Sequence, residues 1–280
     1  NINIMPLLFD FKILTTKMLK ILMNIKMGDN QLYMQGIINV LRKISKKNNY
    51  KINNISEFEN EIKKELNLDK QQQIPLLQRL ALLKSFIIDS DENKDLLKYS
   101  KKYNFDELFK EGNLIIIDLI DDLIEPYDAN NIFRLLIEIF KSKNLGIPKL
   151  LIFDEAHKYF SIREDGLALD IVDIIRMQRH YGMRCIVSTQ NPCILNKEVI
   201  ELSNFILLHR FSSPRWLEYI NNLSYIKKEI FINNKKIDTL DYLLKLETGK
   251  CILVCSKDDL FTNIKIQKRI TYDFGCSITF

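Results

Sequence analysis

The chain has 280 residues, 46% hydrophobic and 28% charged, enough for one large domain or two small ones with a core that needs no disulfide or metal. With 8 Gly and 6 Pro it is neither collagen-like nor disordered, and no uncharged apolar run is long enough to span a membrane. The formal charge of +5 excludes a strongly acidic or strongly basic protein, and the whole surplus lies within residues 1–100.

Residues 5–14 (MPLLFDFKIL) are short and apolar and read as a core strand closing a first segment, 1–14. From Thr15 onward apolar residues recur at helical spacing. Met18, Leu19 and Leu22 mark a first helix. Leu32, Met34, Ile37, Ile38, Leu41 and Ile44 mark a second, with Asp29 as candidate cap. Residues 55–67 predict a third helix, with Ser56 and Glu59 as a capping box. Pro75 is placed near the start of a fourth, with Leu76, Leu77, Leu80, Leu83 and Phe86 on one face. These helices form an expected helical subdomain over 15–105. Its densest basic cluster, Arg42, Lys43, Lys46, Lys47 and Lys51, suits either a phosphate contact or a solvated helix end.

After Gly112 the pattern changes. Residues 114–118 (LIIID) predict a strand buried on both faces, 128–143 a helix, and 150–157 (LLIFDEAH) a second buried strand with its polar end. Residues 165–181 are helical, 183–189 and 204–209 are strands, 214–221 is a helix, and 251–256 and 264–270 are late strands. Strands alternating with helices predict an α/β core over 106–280 with a mostly parallel sheet. The five cysteines, Cys185, Cys193, Cys251, Cys255 and Cys276, are odd in number and form no CxxC. Reduced thiols and an intracellular location, cytoplasmic or nuclear, are therefore expected.

Four apolar residues followed by Asp154 and Glu155 have the shape of a Walker B motif. Asp154 is the candidate Mg²⁺ ligand and Glu155 the group that polarises a water. Two solvated acids at a strand end would look the same. His157 either packs or hydrogen-bonds beneath the site. Arg176 and Arg179, three apart on a predicted helix, are candidate arginine fingers or surface arginines paired with Asp173 or another local acid. Gln190, at the tip of the next strand, is a candidate γ-phosphate sensor or a loop cap. Arg210 ends the strand after that, and either faces a nucleotide across a subunit boundary or is an ordinary strand-end Arg.

In this order the series GNLIIIDL (112–119), LLIFDEAHKYF (150–160), Arg176-x-x-Arg179-x-x-Gly182, VSTQNP (187–192), RFSSP (210–214) and Gly249-Lys250-x-Ile252-Leu253-Val254 resembles the HerA branch of the HerA/FtsK superfamily of RecA-like motor ATPases. The resemblance covers roughly residues 110–270. It implies ATP and Mg²⁺ as cofactors, with Asp154 and Glu155 as the Walker B pair and Gln190 as the sensor-like residue. Arg179 or Arg176 then acts in trans, and Arg210 precedes the polar-polar-Pro turn. It further implies double-stranded DNA as partner, self-association into a hexameric ring, and a possible nuclease partner. Asn191 departs from the Arg that relatives often carry. The helical block corresponds to an insertion between core strands.

No G-x-x-x-x-G-K-[ST] occurs in the chain. Gly249-Lys250 comes nearest, but Leu244 replaces the first Gly and Cys251 the Ser or Thr. With a first residue other than Met, this predicts the C-terminal part of a longer motor, with weak nucleotide binding and little turnover. Two alternatives are an ATPase remnant serving as an assembly or DNA-binding subunit, and a DEAH-box helicase, whose motif II residues 154–157 spell. The second lacks its Ser-Ala-Thr and its second RecA domain here.

Overall fold

The computed structural model describes residues 4–23, 32–47, 54–65, 70–88, 95, 105–119, 125–160, 166–224, 226, 229–232, 235–255, 260–268 and 270. Residues form two compact units, one of 1–149 with 181–183 and one of 150–180 with 184–280.

The first unit carries α1 (Thr16–Leu22), α2 (Leu32–Lys47), α3 (Ile55–Glu65), α4 (Lys70–Ser85), α5 (Phe105–Leu108) and α6 (Pro126–Ser142). Thr15 caps α1, its hydroxyl accepting the Met18 N–H at 3.3 Å. On α3 the cap is Asn54, whose Oδ1 accepts the Glu57 N–H at 2.7 Å, and not Ser56. The helix begins earlier because Ile55 is drawn into the core. Pro75 sits inside α4, not at its start, because Lys70 and three glutamines extend the helix upstream with good helix formers. Leu76, Leu80 and Leu83 are buried along one stripe as expected, whereas Leu77 faces solvent. Asp29 and Lys51 lie outside the described residues. Arg42, Lys43 and Lys46 are exposed on α2. Lys43 pairs with Glu65 of α3, and that hydrogen bond holds its pKa above the ordinary lysine value.

The strand expected over 5–14 is reduced to one parallel bridge, Phe9 to Ile87, followed by a 3₁₀ turn over Phe11–Ile13. Its apolar residues serve the helical core instead: Phe9 and Phe11 are fully buried beside Leu19, Ile37, Leu41, Phe58 and Leu135. An aromatic series, Phe9–Phe105–Phe109–Phe140, runs from there to α6 with ring centroids 4.8–6.1 Å apart. Residues 114–118 form no strand, and Leu114 and Ile116 are 79% and 82% exposed. An apolar run becomes a buried strand only when neighbours take its backbone groups, and no strand among the described residues pairs with this one.

β1 (Lys149–Phe153) leads into the second unit, which continues with α7 (Leu167–Arg176), β2 (Met183–Val187), α8 (Lys197–Glu201), β3 (Phe205–Leu208) and α9 (Pro214–Leu223). β4 (Glu229–Ile232), β5 (Lys235–Asp238), α10 (Thr239–Leu244), β6 (Lys250–Cys255) and β7 (Leu260–Lys265) complete it. Lys149 N–H bonds to Gly182 O, Ser188 N–H to Phe153 O and Ala156 N–H to Ser188 O, each at 2.8 Å. Partner numbers rise together, so β1 and β2 are parallel. The α/β class with a parallel sheet is the fold present. The expectation that residues 150–153 are buried on both faces fails: Leu150 and Ile152 are 52% and 57% exposed. β3, β6 and β7 form a separate antiparallel sheet, with Phe205 opposite Cys255 and Lys250 opposite Lys265. β7 lies four residues upstream of its expected start. The β4–β5 hairpin has no counterpart in the sequence reading.

Lys149 is a buried lysine at the start of β1. Its Nζ donates to the carbonyls of Phe140, Lys141 and Lys143 at 2.8–3.2 Å, closing the C-terminus of α6.

Gly249 enters β6 at φ +80°, with open space where a Cβ would stand. Gly249→Ala therefore adds only backbone strain, and should lower stability by about 1–2 kcal/mol in urea unfolding.

Cys185, Cys193, Cys251 and Cys255 are in no disulfide; Cys276 lies outside the described residues. Burial pushes the Cys185 thiol up to about 11. An unfolded thiol ionises near 8.5, so the unfolded chain releases this proton first as pH rises. The contribution is whole below about pH 8.5 and is lost toward pH 11, by about 3 kcal/mol. Unfolding of wild type against Cys185→Ala across that window should show the difference shrink in this direction.

No described helix is long and apolar enough to cross a membrane.

Candidate functional site

The end of β1 positions the site. Asp154 follows Phe153 directly and is exposed. Its Oδ1 accepts the Glu155 N–H at 3.0 Å, which leaves Oδ2 available to a ligand. Glu155 is the only non-glycine among the described residues with positive φ, at φ 52° and ψ 40°. This left-handed turn is strained by about 1–2 kcal/mol for a side-chain-bearing residue. It is held by the bonds on either side, Glu155 N–H to Asp154 and Ala156 N–H to Ser188 O. Ala156 is fully buried and opens a 3₁₀ turn over Ala156–Lys158, while the Phe153 and Phe160 rings approach to 6.0 Å.

Gln190 lies three residues beyond β2. Its Nε2 donates to Glu155 Oε1 at 2.6 Å, and its backbone N–H donates to His157 Nδ1 at 3.3 Å. His157 Nε2 stands 3.5 Å from Glu155 Oε2, and Lys158 Nζ stands 3.7 Å from the same oxygen. Asp154, Glu155, His157 and Gln190 are thus brought together at the tips of two parallel strands. Crevices at such strand ends are where α/β sheets bind ligands. Lys158 was missed in the sequence, although its position three residues after Glu155 is a usable signal.

The arginines stand apart from this cluster. Arg176 is the last residue of α7 and pairs with Glu198 of α8. Asp173 was the acid first expected there. Arg179 is exposed and lies beyond the C-cap Met177, so the two do not share a helix face. They do share an open hollow of about 420 Å³ lined by residues 175–180 and Leu202. Arg210 is exposed two residues beyond β3. No hydrogen bond or ion pair joins any of the three to Asp154, Glu155 or Gln190. Asn191 caps the turn Pro192–Ile194 by accepting the Cys193 N–H at 3.2 Å. Gly249-Lys250 is a strand entrance, with Lys250 paired to Glu247 at 2.8 Å, and is no phosphate loop.

The Asp154 carboxylate fits a hydrated Mg²⁺, which takes one or two carboxylates and draws its other ligands from phosphate and water. The described residues hold no cluster of three or more His, Cys, Asp or Glu that would cage a metal by themselves. A triphosphate fits less well, because the glycine-rich turn that would cradle it is not in this sequence.

Residues 133–210, which include every site residue named above, match the Zonular occludens toxin (Zot) family model. Among solved structures, VirB4 of Thermoanaerobacter pseudethanolicus superposes with a TM-score of 0.50 at 14% identity, over 96% of this chain and 74% of that one. The genome-packaging NTPase B204 of Sulfolobus turreted icosahedral virus 2 is a looser likeness. Its sulfate complex gives a TM-score of 0.45 at 18% identity over 61% of this chain and 77% of that one. Its AMPPCP complex gives 0.40 at 20% identity, and there the chain spans 63% of the B204 length. No curated protein matches the chain. The VirB4 likeness carries the fold alone, an α/β core with a parallel sheet and helices.

Proposed function

We propose that these 280 residues are the Walker B half of a DNA-translocating P-loop ATPase of the HerA branch. The observation that supports this most is the 2.6 Å bond from Gln190 to Glu155, which couples a strand-end Asp-Glu pair to the tip of the adjacent parallel strand. In this reading Asp154 holds Mg²⁺, Glu155 polarises the attacking water and Gln190 orients it. Bound Mg²⁺-ATP would supply the electrophilic phosphorus and a metal to offset its developing charge.

Arg179 is the favoured residue to face a neighbouring subunit's nucleotide, since no described residue pairs with it. Arg176 would first have to leave Glu198. Arg210 is the third candidate. Double-stranded DNA in the pore of a hexameric ring, with a nuclease as possible partner, follows from the HerA resemblance.

The missing phosphate loop favours a second reading, an inactive remnant that assembles or binds DNA. The two separate by joining a strand–GxxxxGK[ST]–helix segment to the N-terminus and measuring DNA-stimulated ATP hydrolysis. Hydrolysis supports the motor, and a folded but silent chain supports the remnant.

A further inference from the structure

His157 is a polar residue of the site that the proposed chemistry leaves without a task. Its surroundings give it one. Nδ1 accepts the backbone N–H of Gln190 at 3.3 Å, so that nitrogen carries a lone pair and the proton of the neutral ring sits on Nε2. Nε2 is turned toward Glu155 Oε2 at 3.5 Å. Gln190 closes the third side through its side chain, donating to Glu155 Oε1 at 2.6 Å. Three contacts therefore join Glu155, His157 and Gln190 into a closed triangle, two of them spanning 33 and 35 residues of sequence.

We propose that His157 is a positioning residue that locks Gln190 and Glu155 into one geometry, so that the strand-tip amide and the carboxylate act as a unit. The inference rests on the nucleotide reading for its purpose, though not for its geometry. A lone hydrogen bond from an exposed glutamine does not offset the rotamer freedom that its side chain gives up. Fixing the Gln190 backbone through Nδ1 holds its Cα in place, so that only the side-chain torsions remain to be ordered when the amide reaches Glu155. Glu155 sits in its left-handed turn, and the Lys158 ammonium, with Nζ at 3.7 Å, partly offsets the negative charge on Oε2. Of the roughly four carboxylate lone pairs these partners leave one, on Oε1, enough to accept from one water.

The test uses the full chain without nucleotide and reads amide exchange at Gln190. His157→Asn places its Oδ1 close to where Nδ1 stands, whereas His157→Gln reaches only the Nε2 position and His157→Ala neither. Exchange at Gln190 is expected to stay near wild type in His157→Asn and to rise about 5- to 10-fold in His157→Gln and His157→Ala. Nitrogen NMR of wild type is expected to show Nδ1 unprotonated. Wild-type exchange in His157→Ala, equal loss in His157→Asn and His157→Ala, or a protonated Nδ1 would each overturn the assignment. Mg²⁺-ATP titration of the wild-type chain runs in parallel. An intact exchange pattern without binding supports the triangle and removes the nucleotide reading, while binding with no His157 dependence at Gln190 removes the triangle alone.

Discussion

Glu155→Gln, in a chain completed with a phosphate loop, is expected to lower Mg²⁺-ATP hydrolysis by about 10²–10⁴-fold with KM changed only a few-fold. The substitution is nearly isosteric. It keeps the backbone N–H that bonds to Asp154, and it keeps an oxygen for the Gln190 amide. What it removes is the negative charge that faces His157 and Lys158 and the basic oxygen that would take a proton from water. A drop in kcat with an unchanged melting temperature assigns the loss to chemistry. Wild-type kcat would take Glu155 out of the mechanism. Asp154→Asn should behave differently, raising the Mg²⁺ concentration needed for half-maximal rate, because its role in this reading is to hold the ion.

Lys149→Met is expected to destabilise the protein by about 2 kcal/mol in denaturant unfolding, the largest stability effect among these predictions that does not depend on pH. Methionine nearly preserves the apolar stem but leaves the carbonyls of Phe140, Lys141 and Lys143 without their common donor. Hydrogen bonds from a charged group contribute about 1.5–3 kcal/mol each, so three would suggest a larger loss. Desolvation opposes them: burial pushes the Lys149 pKa below the ordinary lysine value, which means the folded state already bears a cost for keeping the charge. The net is therefore set near one such bond. A loss below 0.5 kcal/mol, on the order of an ordinary surface substitution, would show that water replaces the ammonium at the end of α6.

Much of this site was visible in the residue order. Apolar residues leading into two acids announce a strand with carboxylates at its tip, and a polar Gln after the next apolar run announces a second tip. Helices α1 to α4 and α6 were visible because a buried stripe repeats every three to four residues within one element. Boundaries were less legible. Asn54 rather than Ser56 caps α3, and α4 runs through Pro75, because both cap types and both starts satisfy the same local rules. Arg176 and Arg179 looked like one helix face, but the helix stops between them.

Local spacing, then, was sufficient for the α/β class, for helices α1 to α4 and for the identity of Asp154, Glu155 and Gln190 as strand-tip groups, since each of these is encoded within a few consecutive residues. It was silent on the left-handed turn at Glu155, on the triangle with His157 and Gln190, and on Lys149 closing α6. The same holds for which faces of β1 and β2 stay open. Lys149 reaches back only to Phe140, Lys141 and Lys143, but the other features depend on which strand pairs with which and in what register, a property shared between segments more than thirty residues apart. No periodicity within either segment carries that information.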